Sequence, residues 1–99
     1  MPVGGLVRLV PKHGAEAELL ERALDVAADV RTEPGNLLTL VMRDPENPRD
    51  VLMFELFEDD AAIEAHRVAR HSVEKGPAVQ AMLETPMEVQ RVVTVGPSE

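Results

Sequence analysis

The stretch that decides the fold is NLLTLVMRDPENPRDVLMFELFEDDAAIEAHRVARH, residues 36–71. Two apolar runs, residues 36–43 and 51–57, flank a polar segment that contains two prolines. This pattern predicts two strands joined by a hairpin connection. Asp59 and Asp60 follow the second run, and acidic side chains suit the start of a helix because its free N–H groups and its dipole favour negative charge. A helix is therefore expected directly after the second strand, as far as about residue 70.

The chain before this stretch supplies a strand and a helix. Residues 3–10 predict a strand, which Pro11 ends because proline cannot donate to a sheet ladder. Apolar residues between Leu20 and Val30 recur at helical spacing and predict a helix. The turn at residues 33–35, Glu-Pro-Gly, ends that helix, because proline cannot continue it and glycine accepts the turn geometry.

The chain after this stretch supplies another helix and the last strand. Gly76-Pro77 predicts the start of a short helix that reaches Leu83, since proline suits the first helical position. Residues 87–95 predict the last strand, and residues 96–99 are expected to form a loose tail.

The order β-α-β-β-α-α-β predicts an α+β fold of the ferredoxin-like sandwich type, with a four-stranded antiparallel sheet. The 99 residues correspond to a single domain over 1–99. The strands hardly alternate between apolar and polar residues, so both faces of the sheet should be covered. Helices can cover only one face, and a second copy of the chain is the simplest cover for the other. The sequence therefore predicts a homodimer of the dimeric α/β-barrel type.

Composition excludes several classes of function. The net charge is −8, so nucleic acid and anionic membranes are poor partners. Aromatic residues make up 2% of the chain, too few for a platform on which bases stack. The absence of cysteine excludes disulfides, thiolate catalysis and zinc–thiolate sites. No apolar run approaches the ~20 residues of a membrane span, and the N-terminus lacks a secretory signal pattern, so a cytoplasmic protein is expected.

The ordered series from Glu33 to His71 resembles the antibiotic biosynthesis monooxygenase (ABM) family. Its parts are an EPG turn, a strand, an RDP hairpin, a strand ending in FELF, an acidic helix start and two histidines. The resemblance implies a homodimer whose sheets pack face to face, with a pocket in each subunit between sheet and helices. Some members of the family oxidise anthrones or quinols with molecular oxygen and without metal or flavin, some cleave haem, and others process small signalling molecules.

The sequence departs from the family pattern at its aromatic positions. Phe57 stands where the family often has Trp, Phe54 stands where it often has Tyr, and the chain contains neither residue type elsewhere. The haem-degrading branch has a Trp at the position that His66 matches and an Asn on the first strand, which this chain lacks. Haem degradation is therefore disfavoured.

Glu55 is a carboxylate in the middle of an apolar strand. Because side chains alternate along a strand, Met53, Glu55 and Phe57 share one face, while Phe54 lies on the other. A buried carboxylate must find a partner or take up a proton. Two interpretations stay open: an ion pair with one of three arginines, Arg8, Arg43 or Arg91, or an acid or base in a pocket.

His66 and His71 are the candidate catalytic residues. His66 follows Ile63 by three positions, so it should face the sheet and a pocket, where imidazole can take a proton from a phenol or enol. The alternative is a half-buried histidine that hydrogen-bonds a backbone carbonyl. His71 either caps the helix end or, as the family resemblance implies, faces the pocket. A spacing of five does not place both on one helical face, and no third ligand is apparent, so neither a metal site nor a cofactor is expected.

The leading hypothesis is a cofactor-independent monooxygenase for a phenolic, quinol or anthrone-like molecule. His66 or His71 would remove a proton, the resulting anion would react with molecular oxygen, and Asn36 or Arg43 would stabilise the developing negative charge. Asn36 has the alternative role of completing its turn. The remaining candidate substrate contacts are Glu55, Phe54, Phe57 and Met53. The alternatives are a non-catalytic ligand-binding or dimeric accessory domain, and an isomerase or cyclase that acts by proton transfer.

Overall fold

The computed structural model describes residues 1–97 and has the β-α-β-β-α-α-β order that the sequence predicts. The elements are β1 (Val3–Leu9), α1 (Glu16–Val30), β2 (Asn36–Arg43), β3 (Val51–Phe57), α2 (Asp60–Val68), α3 (Arg70–Ala81) and β4 (Glu88–Val93). The strands form one antiparallel sheet in the order β2-β3-β1-β4. The prediction of a ferredoxin-like α+β fold is confirmed.

One face of the sheet packs against the helices. In the register between β1 and β3, Gly5 lies opposite Glu55 and Val7 lies opposite Met53, and residues opposite each other point to the same face. Helix α1 buries an apolar stripe against this face, because its small and branched side chains recur at helical spacing. The core contains Leu9, Leu19, Ala23, Ala27, Val51, Met53, Val79 and Leu83.

The opposite face, which we call the outer face, is apolar and open. It carries Leu6 from β1 and Leu52, Phe54 and Leu56 from β3, and β2 adds Leu38, Leu40 and Met42. Leu38 and Leu40 remain 41% and 40% exposed, although they stand in a sheet. The strands are thus apolar on both faces, and the described chain covers one of them. Cover of the outer face by a second copy of the chain stays a prediction.

The second and third helices differ from the prediction. α2 ends at Val68, Ala69 is extended with ψ 143°, and α3 begins at Arg70 rather than at Pro77. Pro77 lies inside α3, where it removes one backbone hydrogen bond. α3 nevertheless continues because Val79, one turn further on, is 7% exposed and packs in the core, and such tertiary packing outweighs a local helix-start signal.

The start of α2 follows the sequence signal. Asp59 is the N-cap, and its Oδ1 accepts a hydrogen bond of 2.8 Å from the backbone N–H of Ala62. Ala62 also faces Gly35, where any Cβ atom would overlap the Ala62 Cβ. The glycine of the Glu-Pro-Gly turn therefore lets the turn and α2 pack directly together. α2 itself buries no side chain completely, whereas α1 buries four.

Within residues 1–97, no helix is long and apolar enough to cross a membrane. Gly96 and Pro97, from the expected tail, have no regular secondary structure, and residues 98 and 99 lie outside the described part of the chain.

Candidate functional site

A cavity of about 530 Å³ lies between the helix-facing side of the sheet and the helices. Its floor comes from β1 and β3, with Gly5, Met53, Glu55 and Phe57 among the lining residues. Its walls come mainly from α1, α2, α3 and β4, and most of the lining is apolar. A cavity of this size with few polar groups is typical of a site for a small organic molecule.

Four polar side chains converge at one end of this cavity, and we call them the cavity cluster: Glu33, Glu55, His66 and His71. Nδ1 of His66 lies 2.9 Å from Glu33 Oε2, and Nε2 of His71 lies 2.5 Å from the same oxygen. The other ring nitrogen of His66, Nε2, lies 3.4 Å from Glu55 Oε2. All four side chains are shielded, with exposed fractions of 11–21%. His66 therefore bridges two carboxylates, while His71 contacts one.

Three separate segments bring this cluster together. Glu33 lies in the turn after α1, where its N–H donates to Val30 O and its carbonyl accepts from Asn36. His66 is in the last turns of α2, and His71 is the second residue of α3. The extended conformation of Ala69 changes the direction of the chain between them. Two residues five apart, which one continuous helix would point in different directions, thereby reach the same carboxylate.

The hydrogen bonds fix which nitrogen carries a proton in each ring. An ionised carboxylate only accepts, so His66 donates to Glu33 through Nδ1–H and His71 donates through Nε2–H. In neutral His71 this leaves Nδ1 with a free lone pair. In neutral His66 the lone pair is on Nε2, which faces Glu55. Among the described residues, Nδ1 of His71 has no hydrogen-bond partner, and His71 lines the cavity.

Glu55 is the most perturbed acid of the cluster. Burial raises the pKa of its carboxyl above the ordinary value, His66 opposes this shift, and the nearby Glu33 carboxylate adds to it. The Glu55 carboxyl group faces Nε2 of His66. At 3.4 Å the contact is longer than a strong hydrogen bond.

Two further side chains complete the polar end of the cavity. The Phe57 ring packs against the His66 ring, with centroids 5.2 Å apart and planes tilted by 40°. Ser72 also lines the cavity, and its Oγ is buried without a hydrogen-bond partner among the described residues. Buried polar atoms are nearly always paired in native proteins, so this hydroxyl is an exception that the described residues do not explain.

The structure brings some of the sequence-predicted residues together and separates others. Glu55, Met53, Phe57, His66 and His71 all line the cavity. Three others do not, namely Phe54, Arg43 and Asn36. Phe54 lies on the outer face, and Arg43 is exposed at the end of β2. The Asn36 side chain donates to Leu38 O and to Leu56 O on the neighbouring strand, and it accepts from Thr39.

The interpretation of Glu55 as the partner of an arginine is wrong. Arg8 lies on the outer face and pairs with Asp44 and Asp50, while Arg91 reaches out to Asp60. The group within ion-pair distance of Glu55 in the described chain is His66. Strand alternation explains the error for Arg8, since a residue beside Leu9 must point away from the helices.

Sequence reasoning missed Glu33 and Ser72. Glu33 was assigned only to the end of a helix, because no spacing rule connects residue 33 with residues 66 and 71. Ser72 gave no signal, because a serine beside a histidine is common in surface helices. Only the path of the chain through Ala69 places these side chains together.

The fold matches those of solved structures closely. Rv0793 from Mycobacterium tuberculosis superposes with a TM-score of 0.91 at 19% identity, over 100% of both chains. PA3566 from Pseudomonas aeruginosa has a TM-score of 0.86 at 21% identity, over 96% of this chain and 95% of that one. A structure of an antibiotic biosynthesis monooxygenase has a TM-score of 0.86 at 20% identity, over 95% of this chain and 99% of the other.

Identities this low establish the fold alone. Among curated proteins, none matches the sequence significantly. The sequence profile of the antibiotic biosynthesis monooxygenase family, however, matches residues 2–74. This range includes all four members of the cavity cluster. The chain therefore belongs to the antibiotic biosynthesis monooxygenase family.

Proposed function

We propose that this protein is a cofactor-independent monooxygenase that oxidises a phenolic, quinol or anthrone-like molecule with molecular oxygen. Family membership supports a monooxygenase-like function. The observation that carries the finer proposal is the pair formed by Glu33 and His71 at the edge of an apolar cavity.

The Glu33–His71 pair has the form of an oriented general base. Glu33 accepts the Nε2–H bond and so holds the ring in the tautomer whose Nδ1 is unprotonated. A carboxylate that orients an imidazole in this way also stabilises the imidazolium that forms when the ring takes a proton. Nδ1 of His71 would remove the proton of a bound phenol or enol.

His66 has a different role in this proposal, although the sequence offered both histidines as bases. Its two ring nitrogens face Glu33 and Glu55, so neither is free for a substrate proton. We assign His66 to positioning: it ties α2 to the turn and keeps Glu55 and Glu33 apart. His71 alone keeps the role of catalytic base.

The oxidation itself requires little more from the protein. The substrate anion forms a carbon–oxygen bond with molecular oxygen, and the resulting peroxide takes a proton back from the imidazolium. Loss of water then leaves one oxygen atom in the product as a carbonyl, so no external reductant is needed. Met53 and Phe57 would hold the ring away from water, which favours reaction of the anion with oxygen.

Ser72 is the best placed donor for the developing negative charge. Ser72 follows His71 in the chain and lines the same cavity, and its buried hydroxyl has no hydrogen-bond partner among the described residues. Asn36 and Arg43 lie away from that cavity, so we transfer the role of oxyanion donor from them to Ser72. A donor fixed before the reaction stabilises the charge without reorganisation.

The test is oxygen consumption by metal-free protein with a hydroquinone or anthrone as substrate. His71→Ala should lower kcat by about 100-fold or more, the usual contribution of a general base. His13→Ala is the matched control, because His13 is exposed in the first loop, and it should keep wild-type turnover. Equal turnover by His71→Ala and wild type would refute the assigned base.

A second candidate is a ligand-binding domain without catalysis, and the absence of Trp and Tyr favours it. A ligand that raises the melting temperature but is recovered unchanged in air would support this function over the first. Turnover that continues without oxygen would instead indicate an isomerase or cyclase that uses the same base.

We also propose that two chains pair through their outer faces. The apolar side chains of β2 and β3 on that face have no cover within residues 1–97, and a self-complementary sheet face suits a two-fold dimer. Leu40→Asp, in the middle of this face, should give a monomer in analytical ultracentrifugation. Val68→Asp on α2 replaces a more exposed apolar side chain and should leave the dimer intact. A monomeric wild-type protein at micromolar concentration would refute the pairing.

A further inference from the structure

Three side chains of the cavity cluster form a set of metal-ligand atoms. A carboxylate oxygen of Glu33 and one ring nitrogen each of His66 and His71 lie within 4.8 Å of one another. They come from three different segments and are shielded from solvent, with side chains 11%, 21% and 21% exposed. This set therefore differs from the loose groups of acids that are common on protein surfaces.

The donor types match those of zinc and neighbouring divalent ions. Two imidazole nitrogens and one carboxylate oxygen, with water at a fourth position, are a known ligand set for zinc. Zinc bonds of about 2.1 Å in a tetrahedral site place adjacent ligand atoms about 3.4 Å apart. The His66 Nδ1–Glu33 Oε2 distance of 2.9 Å and the His71 Nε2–Glu33 Oε2 distance of 2.5 Å are hydrogen-bond distances, so both must lengthen when an ion takes the place of the protons between these atoms.

Glu55 supplies the outer contact that a metal-bound histidine usually has. Coordination through Nδ1 of His66 moves the ring proton to Nε2. That nitrogen faces Glu55 Oε2 at 3.4 Å, so the carboxylate accepts the proton's hydrogen bond. A carboxylate on the far nitrogen orients the ring and strengthens the metal bond. The net charge of −8 also favours the approach of a cation.

We infer that Glu33, His66 and His71 bind a divalent transition-metal ion of the zinc type, and that this ion inhibits the protein. Binding follows from the ligand set alone. Inhibition rests on the proposed function: an ion on Nε2 of His71 leaves the ring proton on Nδ1, so this nitrogen no longer accepts a substrate proton. One carboxylate thus serves either the catalytic base or the ion, and never both.

The binding test is calorimetric titration of metal-stripped protein with zinc chloride, in the absence of any substrate. Wild type should bind one ion per chain, and its melting temperature should rise with zinc. Glu33→Gln, His66→Ala and His71→Ala should each weaken binding by at least about 100-fold, since even outer contacts contribute about 10–100-fold. Glu55→Gln, which changes an outer contact, should weaken zinc binding by about 10–100-fold.

His13→Ala is the matched control and should bind zinc like the wild type, because it removes the one histidine outside the cluster. Cobalt chloride provides a second measurement: a tetrahedral cobalt spectrum should appear in wild type and in His13→Ala but not in His71→Asn, a milder variant in case His71→Ala fails to fold. Failure of the wild type to bind one zinc ion, or unchanged binding in the three ligand variants, would overturn the site.

The inhibitory step has its own readout. Zinc should abolish oxygen consumption at the concentration that saturates the calorimetric site, and a chelator should restore it. Saturated protein that still consumes oxygen overturns inhibition. If no substrate is oxidised at all, the proposed function fails, whereas zinc binding with the expected variant pattern still supports the metal site.

Discussion

Two charged clusters lie on opposite sides of the same sheet, and they differ in what their cations can do. On the helix side, the cavity cluster surrounds Glu33 and Glu55 with imidazoles. On the outer side, Arg8 donates to Asp50 at 2.7 Å and to Asp44 at 3.0 Å, and we call these three residues the hairpin cluster. The hairpin cluster ties the β2–β3 connection to β1. Both clusters join distant segments, and both are partly shielded.

The comparison shows that short contacts between charged side chains do not by themselves indicate a catalytic or metal-binding site. A guanidinium group has five donors, no acceptor and a permanent charge, so Arg8 can hold the hairpin but cannot exchange a proton. An imidazole ring, by contrast, can lose or gain a proton near neutral pH, so a histidine can exchange a proton or bind an ion. The cavity cluster also borders an apolar space, whereas Arg8 has its side chain 33% exposed to solvent.

The largest expected effect comes from forcing the cavity cluster apart. In Gly35→Ala the new Cβ would overlap Ala62, whose own Cβ is fixed to α2, so the helix must move and carry His66 away from Glu33. We expect a loss of about 3 kcal/mol in the free energy of unfolding. Urea unfolding followed by circular dichroism measures it.

Gly76→Ala is the matched glycine control. A Cβ at Gly76 meets no atom within 4 Å, and the residue lies inside α3. This variant should change the free energy of unfolding by less than about 1 kcal/mol, because the preference of alanine over glycine in a helix is offset by the clash of a Cβ with the ring of the following Pro77. Stability losses of similar size in both glycine variants would contradict the packing argument.

A smaller effect is expected from removing one charge in each cluster. Glu33→Gln weakens two hydrogen bonds in a shielded place and should lose about 1–2 kcal/mol in the free energy of unfolding. Asp44→Asn should lose less, because Arg8 keeps Asp50 and the loop faces water. Chemical denaturation of the two variants side by side provides the measurement, and a greater loss in Asp44→Asn would reverse the comparison.

A still smaller effect is expected from lowering the pH, which should remove the contribution of Asp44 in the hairpin cluster to stability. The backbone N–H of Glu46, and then Arg8, hold the pKa of Asp44 below its ordinary value of 3.8. The unfolded chain therefore binds this proton more tightly, so the contribution is present above pH 3.8 and is lost as the pH falls through the folded-state pKa. The difference in melting temperature between wild type and Asp44→Asn should stay constant from neutral pH to about 5 and then shrink. A difference that grows in acid would contradict this sign.

The smallest effect is expected at a pair that belongs to neither cluster. Arg70 and Glu74 form an i,i+4 contact on α3, with side chains 89% and 58% exposed. Glu74→Gln should leave the melting temperature unchanged within error, because solvent screens such pairs. A clear loss would mean that exposure is a poor guide to the ranking above.

The sequence predicted the fold well because its signals are local. Apolar runs, the proline-rich hairpin and the Asp59 cap each specify an element without reference to the rest of the chain. Alternation also separates Phe54 from Phe57, and the structure has them on opposite faces. The start of α3 could not be predicted, because the packing of Val79 against distant residues decides it.

The candidate site was only partly accessible from sequence. His66, His71 and Glu55 attract attention because they are polar residues in or beside apolar patterns. Glu33 does not, because the Glu-Pro-Gly sequence is already explained as the turn that ends a helix. Its contact with two histidines depends on the change of chain direction at Ala69. Residues that meet only in the folded structure produce no periodic pattern in the sequence, so pattern analysis cannot find them.

The absence of buried side chains in the described α2 has a consequence for how often this helix opens. A helix without a fully buried side chain can detach at a lower free energy than the sheet beneath it, so its amide protons should exchange by local opening, ahead of those in α1. Each such opening separates His66 from Glu33 and uncovers the apolar floor. The contact between His66 and Glu33 should therefore break and form again many times during the lifetime of a single folded sheet.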